Sequence, residues 1–247
     1  GMAGPIDVHA HLLPDLDDGC RGFDESIECA RMMVASGYTH AFCTPHIVPL
    51  FPENTAAHIR ERTKQLQERF DRDAIPLGLS PGGEINLTGM WPALSRMSLE
   101  EIPTYGLAGT YVLIDFWADA LPECFGPAVL YFKSLGLTPI LAHPERVKAF
   151  QNDPSLVERV RDMGVLLQGN LQCFADPPDS PTRTLAESCL LGDHYFLLGT
   201  DCHVPATLPL RLAGLAAAET IGGRERVDRL TMENPRKLPG LCEDRSC

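Results

Sequence analysis

The segment Asp7-Val8-His9-Ala10-His11 sets two imidazoles two positions apart, and Asp15, Asp17 and Asp18 follow directly. Side chains alternate across an extended segment, so His9 and His11 project to one side and can reach a single metal ion. Asp7 shares that face, where it either orients an imidazole or simply caps or pairs locally. Further potential ligands recur along the chain: His46 in Thr44-Pro45-His46, Glu84 after Pro81-Gly82-Gly83, Asp115, His143, and the pair Asp201 and His203. Imidazoles and carboxylates are the donor set for Zn²⁺, Mn²⁺ or Fe²⁺, with bonds of ~2.0–2.2 Å in the zinc case. With Asp18 included there are nine candidates, too many for one ion and enough for two or three, with Glu84 central enough to bridge. Spacing alone does not choose among Asp15, Asp17 and Asp18.

Such a centre can deprotonate a shared water near neutral pH and stabilise in-line displacement at phosphorus. Three divalent ions outweigh the four carboxylates Asp18, Glu84, Asp115 and Asp201, which leaves a pocket suited to a phosphomonoester dianion. Arg146, just past His143, adds a planar fork for phosphate oxygens.

The elements that must position these residues follow from the patterning. Strands are expected at 6–11, 38–44, 75–79, 111–116, 138–143, 165–169 and 195–200. Helices are expected from Asp24 to a stop at Gly37, from a cap at Asn54 or Thr55 to about Arg72, and over 123–135, 154–163, 182–191 and 208–221. A short helix and loops fill 88–109, and a polar helical tail ends the chain. Seven strand-then-helix units predict an α/β fold with a parallel sheet closed or nearly closed into a TIM-like barrel. In such barrels the chemistry sits at the carboxyl ends of the strands. The candidate ligands all fall at or just past those ends.

The 247 residues are 44% hydrophobic and 22% charged, ordinary for one large globular domain. A single domain is expected over 1–247, with 1–5 a disordered start (Gly1 before Met2 reads as an expression scar) and 239–247 a tail. No apolar run suits a membrane span and the first residues lack the basic and apolar regions of a signal peptide, so a cytoplasmic chain is expected. Nine cysteines without a Cys-x-x-Cys pair read as reduced thiols. The net charge of −12 speaks against a general nucleic-acid surface.

Short motifs in order, from Asp7-Val8-His9-Ala10-His11 and Asp17-Asp18-Gly19 through Thr44-Pro45-His46, Gly83-Glu84-Ile85, Leu113-Ile114-Asp115-Phe116, Ala142-His143-Pro144-Glu145-Arg146 and Thr200-Asp201-Cys202-His203 to Asn234-Pro235-Arg236-Lys237, resemble the polymerase and histidinol phosphatase (PHP) superfamily. Within it the chain looks most like the bacterial manganese-dependent protein-tyrosine phosphatases of capsule and exopolysaccharide biosynthesis. The resemblance implies a distorted seven-stranded (β/α) barrel with three metals. His9, His11, Glu84 and Asp201 would surround one ion, Glu84, Asp115 and His143 a second, and Asp18, His46 and His203 a third. It also implies catalytic roles for Glu84, Asp201 and Arg146, the last binding phosphate. The substrate would be a phosphotyrosyl protein, such as a bacterial tyrosine kinase. Two departures stand out: the family usually has glutamate at the position of Asp115, and its second arginine is displaced here, with Arg211 as the available substitute.

The enzymatic alternative is a histidinol phosphate phosphatase or another small-molecule phosphoesterase, and the non-enzymatic one a metal-stabilised regulatory module. A cysteine-based phosphatase is excluded, because no cysteine has an arginine six residues later. His40, His58 and His194 read as packing or surface residues, Glu145 as a solvated turn residue and Asn170 as a loop hydrogen-bonder. The stripe from Leu208 to Ala218 reads as core. Phe51, Trp91, Tyr105 and Trp117 stand at loop positions, where aromatics either line a mouth or pack.

Overall fold

A computed structural model describes residues 4–241. Its strands are β1 (Ile6–Ala10), β2 (His40–Cys43), β3 (His46–Ile47), β4 (Gly78–Pro81), β5 (Glu84–Asn86), β6 (Tyr111–Asp115), β7 (Thr138–Ala142), β8 (Leu166–Asn170) and β9 (Leu197–Gly199). The helices between and after them are α1 (Gly22–Ala35), α2 (Ala56–Arg72), α3 (Leu87–Leu94), α4 (Phe125–Ser134), α5 (Lys148–Asn152), α6 (Ser155–Asp162), α7 (Pro181–Leu191), α8 (Leu208–Gly222) and α9 (Arg224–Asp228). All strand pairings are parallel, in one sheet ordered β1-β2-β4 and another ordered β3-β5-β6-β7-β8-β9.

The expected α/β fold with parallel strands is present; among the described residues the strands form two parallel sheets, and one continuous closed seven-stranded ladder is not seen. Pairing is interrupted at or just past the ends of the expected strands 38–44 and 75–79, and the two breaks lie side by side. β2 ends with Cys43 opposite Pro81, and pairing resumes with His46 opposite Glu84. Pro45 and Pro81 have no N–H to donate to a ladder. Gly83 runs so close to its neighbours that a Cβ there would lie 2.9 Å from both Ile47 and Pro103. Glu84 thus sits on a resumed strand, and the third strand begins at Gly78, later than its composition suggests. β1 is linked to the segment just past β9 by one isolated parallel bridge, Ala10 to Cys202. Around it the Asp201 N–H donates to the His9 carbonyl at 2.8 Å, and the His11 N–H to the Cys202 carbonyl at 2.7 Å.

Period-two alternation divides the strand residues between two buried clusters. Ile6, Val8, Phe42, Leu113, Ile140 and Leu197 form the smaller one with Tyr105. Ala41, Val112, Ile114, Leu141, Leu167 and Leu198 join the helices in the larger. Burial on both faces is what the near-continuous apolar runs of β6 and β7 require.

Two helices bear directly on the site. α2 is capped by Thr55, whose hydroxyl accepts from the His58 N–H at 3.2 Å, and it buries Ile59, Thr63, Leu66 and Phe70 at helical spacing. His58 therefore lies in the first turn. Asn54, the alternative cap, instead donates to the carbonyls of Leu16 and His46, both at 2.9 Å, and ties two site loops together. α1 places the Ser26 hydroxyl 2.6 Å from the Leu12 carbonyl, fixing the segment after His11.

Residues 1–3 and 242–247, parts of the expected start and tail, lie outside the described residues, as do Cys242 and Cys247. Of the remainder, Gly4 is buried, and the Gly240 carbonyl accepts from the Ser80 hydroxyl at 2.7 Å. The described cysteines are free thiols. No described helix is long and apolar enough to cross a membrane.

Candidate metal centre

The chain ends of the parallel strands deliver the potential ligands to one place. Glu84 is the hub. Its Oε2 lies 3.2 Å from His9 Nε2 and 3.1 Å from His143 Nε2, and its Oε1 lies 3.4 Å from His11 Nε2 and 3.1 Å from His46 Nδ1. Asp201 Oδ1 faces the first pair from the other side, 3.1 Å from His9 Nε2 and 3.2 Å from His11 Nε2. Asp18 Oδ1 stands between His46 Nε2 at 3.2 Å and His203 Nε2 at 3.3 Å. Ligand atoms form three overlapping groups, each within 4.8 Å of one another: His9, His11, Glu84 and Asp201; His11, Asp18, His46 and His203; and His46, Glu84 and Asp115. His143 reaches the cluster through Glu84, so all nine sequence-derived candidates converge.

Oriented partners set which ring nitrogen is free. His9 Nδ1–H donates to Gln168 Oε1 at 2.7 Å and His11 Nδ1–H to Asp17 Oδ2 at 2.7 Å, which turns both Nε2 atoms toward Glu84 and Asp201. His203 Nδ1–H donates to the Asp201 carbonyl at 2.8 Å and leaves Nε2 toward Asp18. Asp17 also accepts the backbone N–H groups of His46 and Gly19 at 2.9 Å each. The two adjacent aspartates are thereby separated: Asp17 is enclosed, its side chain 1% exposed, while Asp18 is 63% exposed at the rim.

The charge balance of the described residues fits cations. Buried Glu84 Oε1, Asp115 Oδ1, Asp201 Oδ1 and His46 Nδ1 make no hydrogen bond, although buried polar atoms ordinarily do. The 3.1 Å approach of His46 Nδ1 to Glu84 Oε1 lacks hydrogen-bond geometry and does not relieve them. Burial, reinforced by the Glu84 charge, pushes the Asp115 carboxyl well above its ordinary range. Burial opposes charge on His9, yet Asp201 and Glu84 overcome it and push the imidazole up to about 9. Burial and the neighbouring His11 hold His203 down at about 4, as a neutral imidazole. These hard and borderline donors suit divalent first-row ions.

The two arginines lie over the same cluster. Arg146 Nη1 is 3.6 Å and Arg211 Nη1 3.8 Å from Asp201 Oδ2, and Arg211 Nη1 also donates to the Asp201 carbonyl. With Asp115, His143, His203 and Trp117 they line a cavity of about 620 Å³. Arg211 reaches it from the first turn of α8.

Several polar residues take positions other than those expected. Glu145 is buried rather than solvated, and its Oε1 accepts from the Tyr195 hydroxyl at 2.8 Å and the Asn170 N–H at 3.1 Å. Asn170 ends β8 rather than lying in a loop and donates to Asp201 Oδ2 at 3.0 Å. Asp7 orients no imidazole: it accepts the Thr200 N–H at 3.0 Å and the Thr200 hydroxyl, clamping β1 to the end of β9. Gln168 is a partner of His9 that the motifs do not contain. The signal available for it was the polar pair Gln168 and Asn170 on one face of an otherwise apolar strand. His143 and Asp201 hold left-handed backbones, φ 37° and 53°, a strain of about 1–3 kcal/mol each that clusters at functional sites. His40 is buried in β2 and His194 pairs with Glu158 at 2.7 Å, both away from the cluster.

Residues 5–239 match the family described as capsular polysaccharide synthesis, CpsB/CapC. The chain belongs to this family. It is 34% identical over 165 residues to the tyrosine-protein phosphatase YwqE of Bacillus subtilis, a match that covers 66% of this chain and 63% of that relative. To the tyrosine-protein phosphatase CpsB of Streptococcus pneumoniae it is 27% identical over 240 residues, covering 94% and 97%. A solved structure described as one of the metal-dependent tyrosine phosphatases YwqE and CpsB superposes with a TM-score of 0.84 at 27% identity, covering 96% of this chain and 95% of that one. The CpsB/CapC relatives are thus named as metal-dependent tyrosine phosphatases, and this member brings together the residues that could hold metal.

Proposed function

We propose that this chain is a metal-dependent phosphomonoesterase that removes phosphate from tyrosine in proteins, a bacterial tyrosine kinase among them, as part of the control of capsule or exopolysaccharide synthesis. The observation that carries the reading is the hub at Glu84, one buried carboxylate facing four imidazoles beneath two arginines. His9, His11, Glu84 and Asp201 would hold one ion, Glu84, Asp115 and His143 (with His46 beside them) a second, and Asp18, His46 and His203 a third, with manganese as the favoured metal. When bound, such ions supply Lewis acidity and a water deprotonated near neutral pH.

The protein's own groups do the rest. Arg146 and Arg211 bind and orient the phosphoryl oxygens with planar donors and stabilise the charge that grows on them. Gln168 and Asp17 keep the imidazoles of His9 and His11 in the tautomer that faces inward. Asn170 and the Asp201 carboxylate hold one another on the floor of the site.

The deciding experiment is hydrolysis of p-nitrophenyl phosphate and phosphotyrosyl peptides by protein loaded with Mn²⁺. Turnover of both is expected. Absence of turnover with Mn²⁺, Fe²⁺, Zn²⁺ and Mg²⁺ alike sinks the proposal. A strong preference for histidinol phosphate would reassign the site to a small-molecule substrate.

A further inference from the structure

Of the four aromatics expected at loop positions, Trp91 lies within α3 instead, and three are accounted for by packing or by a different cavity. Tyr105 is buried and its hydroxyl donates to the Val8 carbonyl at 2.7 Å. Trp91 stands edge-on to Tyr131, and Phe51 lines a separate apolar cavity with Met90 and Met97. Trp117 differs from these. It lines the candidate metal cavity and is 58% exposed, the only aromatic among the exposed large hydrophobic side chains of the described residues.

Exposure here does not mean freedom. The indole N–H donates to Asp115 Oδ2 at 3.0 Å, and the ring stands edge-on to His46 with centroids 5.6 Å apart and planes at 85°. The preceding Phe116 is buried edge-on against Phe125 at 6.1 Å and anchors the loop. An aromatic side chain has few rotatable bonds and, so held, loses little entropy when something binds it. Its unburied face therefore offers a fixed apolar plane beside two arginines and the ligand cluster.

We propose that Trp117 is an aryl-binding platform: the ring of an aryl phosphate stacks on its exposed face while the phosphate meets Arg146 and Arg211, so that the site selects aryl over alkyl phosphomonoesters. The inference rests on the phosphomonoesterase reading and adds to it a residue that chooses the leaving group. Phosphotyrosine carries its phosphate directly on a ring, whereas phosphoserine offers a short alkyl stem with nothing to stack.

The test compares kcat/KM of Mn²⁺-loaded wild type, Trp117→Ala and Trp117→Phe on p-nitrophenyl phosphate and phosphotyrosyl peptide against glycerol phosphate and phosphoseryl peptide. The aryl-to-alkyl ratio is expected to fall about five- to tenfold in Trp117→Ala and to be largely kept in Trp117→Phe, the size expected for aromatic pairs. Loss of the hydrogen bond to Asp115 lowers both substrate classes and cancels in the ratio. A second readout needs no turnover. Trp117 is the sole tryptophan in a Trp91→Phe background, since the chain has two. Benzylphosphonate is expected to change its fluorescence and methylphosphonate is not. An unchanged ratio, or equal responses to the two phosphonates, overturns the platform. A wild type with no phosphomonoesterase turnover but a selective benzylphosphonate response overturns the phosphatase reading and leaves the platform standing.

Discussion

The side-chain oxygen of Gln168 accepts the Nδ1–H of His9 at 2.7 Å, and this one contact decides which nitrogen of a fully buried imidazole points at Glu84 and Asp201. Gln168 is itself buried at the centre of β8 and spends its amide on the Gly169 carbonyl and Asn170 Oδ1, so it cannot turn away. Gln168→Leu removes the acceptor and leaves the imidazole free to adopt either tautomer. Mn²⁺ affinity measured by calorimetry is expected to weaken about 10- to 100-fold, the usual consequence of losing a partner behind a metal ligand. Unchanged affinity would mean that the ring is oriented by the ions alone.

Asp17 and Asp18 are adjacent in sequence and opposite in role. Asp17 accepts from the His11 ring and from two backbone N–H groups in a closed setting, so Asp17→Ala leaves buried donors unpaired and is expected to destabilise the metal-free protein by about 2 kcal/mol or more. Asp18 is exposed and, among the described residues, pairs with His46 and His203 alone. Asp18→Ala is expected to leave the thermal midpoint of the metal-free protein unchanged while lowering the number of ions bound. Denaturation and elemental analysis of the two variants check the pair of outcomes, and matching behaviour would refute the division.

Much of the site was legible because its ligands are rare residue types at a repeated place, the carboxyl end of a β-strand. His9, His46, Glu84, Asp115 and His143 could be found that way without knowing how the strands pair. The separation of Asp17 from Asp18 could not, because an irregular loop has no period from which to read direction. Glu145 was misplaced for the same reason: a turn motif with a charged side chain implies solvent, but the three-residue 3₁₀ turn at Pro144–Arg146 lies against β8 and buries it. The strand breaks are not legible in the sequence because Thr44-Pro45 and Gly82-Gly83 read singly as strand ends. Their interruption is a property of the two strands side by side.

In the metal-free protein the cluster is held together by protons. His9, raised from 6.5 to about 9 by Asp201 and Glu84 against the cost of burial, contributes stability that is fully present below pH 6.5 and lost as pH rises through about 9. Glu84 and Asp201 are held well below their ordinary values by the facing imidazoles, despite burial, and their contribution disappears only in strong acid. The thermal midpoint of the metal-free protein is thus expected to fall between pH 6.5 and 9, while the loaded protein is insensitive there. Mn²⁺ displaces the same protons, so binding at pH 7 should release them, a quantity read from calorimetry in buffers of different ionisation enthalpy. A metal-free midpoint that is flat across this window would contradict the proton-held cluster.

Arg146 and Arg211 approach the same carboxylate oxygen of Asp201 but are held differently, and the difference predicts distinct losses. The Arg146 side chain is 54% exposed and makes no hydrogen bond among the described residues, so it is free to turn onto a phosphate. Arg146→Ala is expected to lower kcat/KM for p-nitrophenyl phosphate by about a hundredfold with metal content and thermal midpoint unchanged. Arg211 is mostly buried and already donates to the Asp201 carbonyl, next to the His203 ring. Its removal therefore frees a left-handed turn that carries two candidate ligands. Arg211→Ala should cost both activity and metal occupancy, and Arg211→Lys, which keeps the charge but not the planar fork, should recover occupancy more than activity. If Arg211→Ala kept its full complement of Mn²⁺, the arginine would act on substrate alone and the turn at Asp201 would be self-supporting.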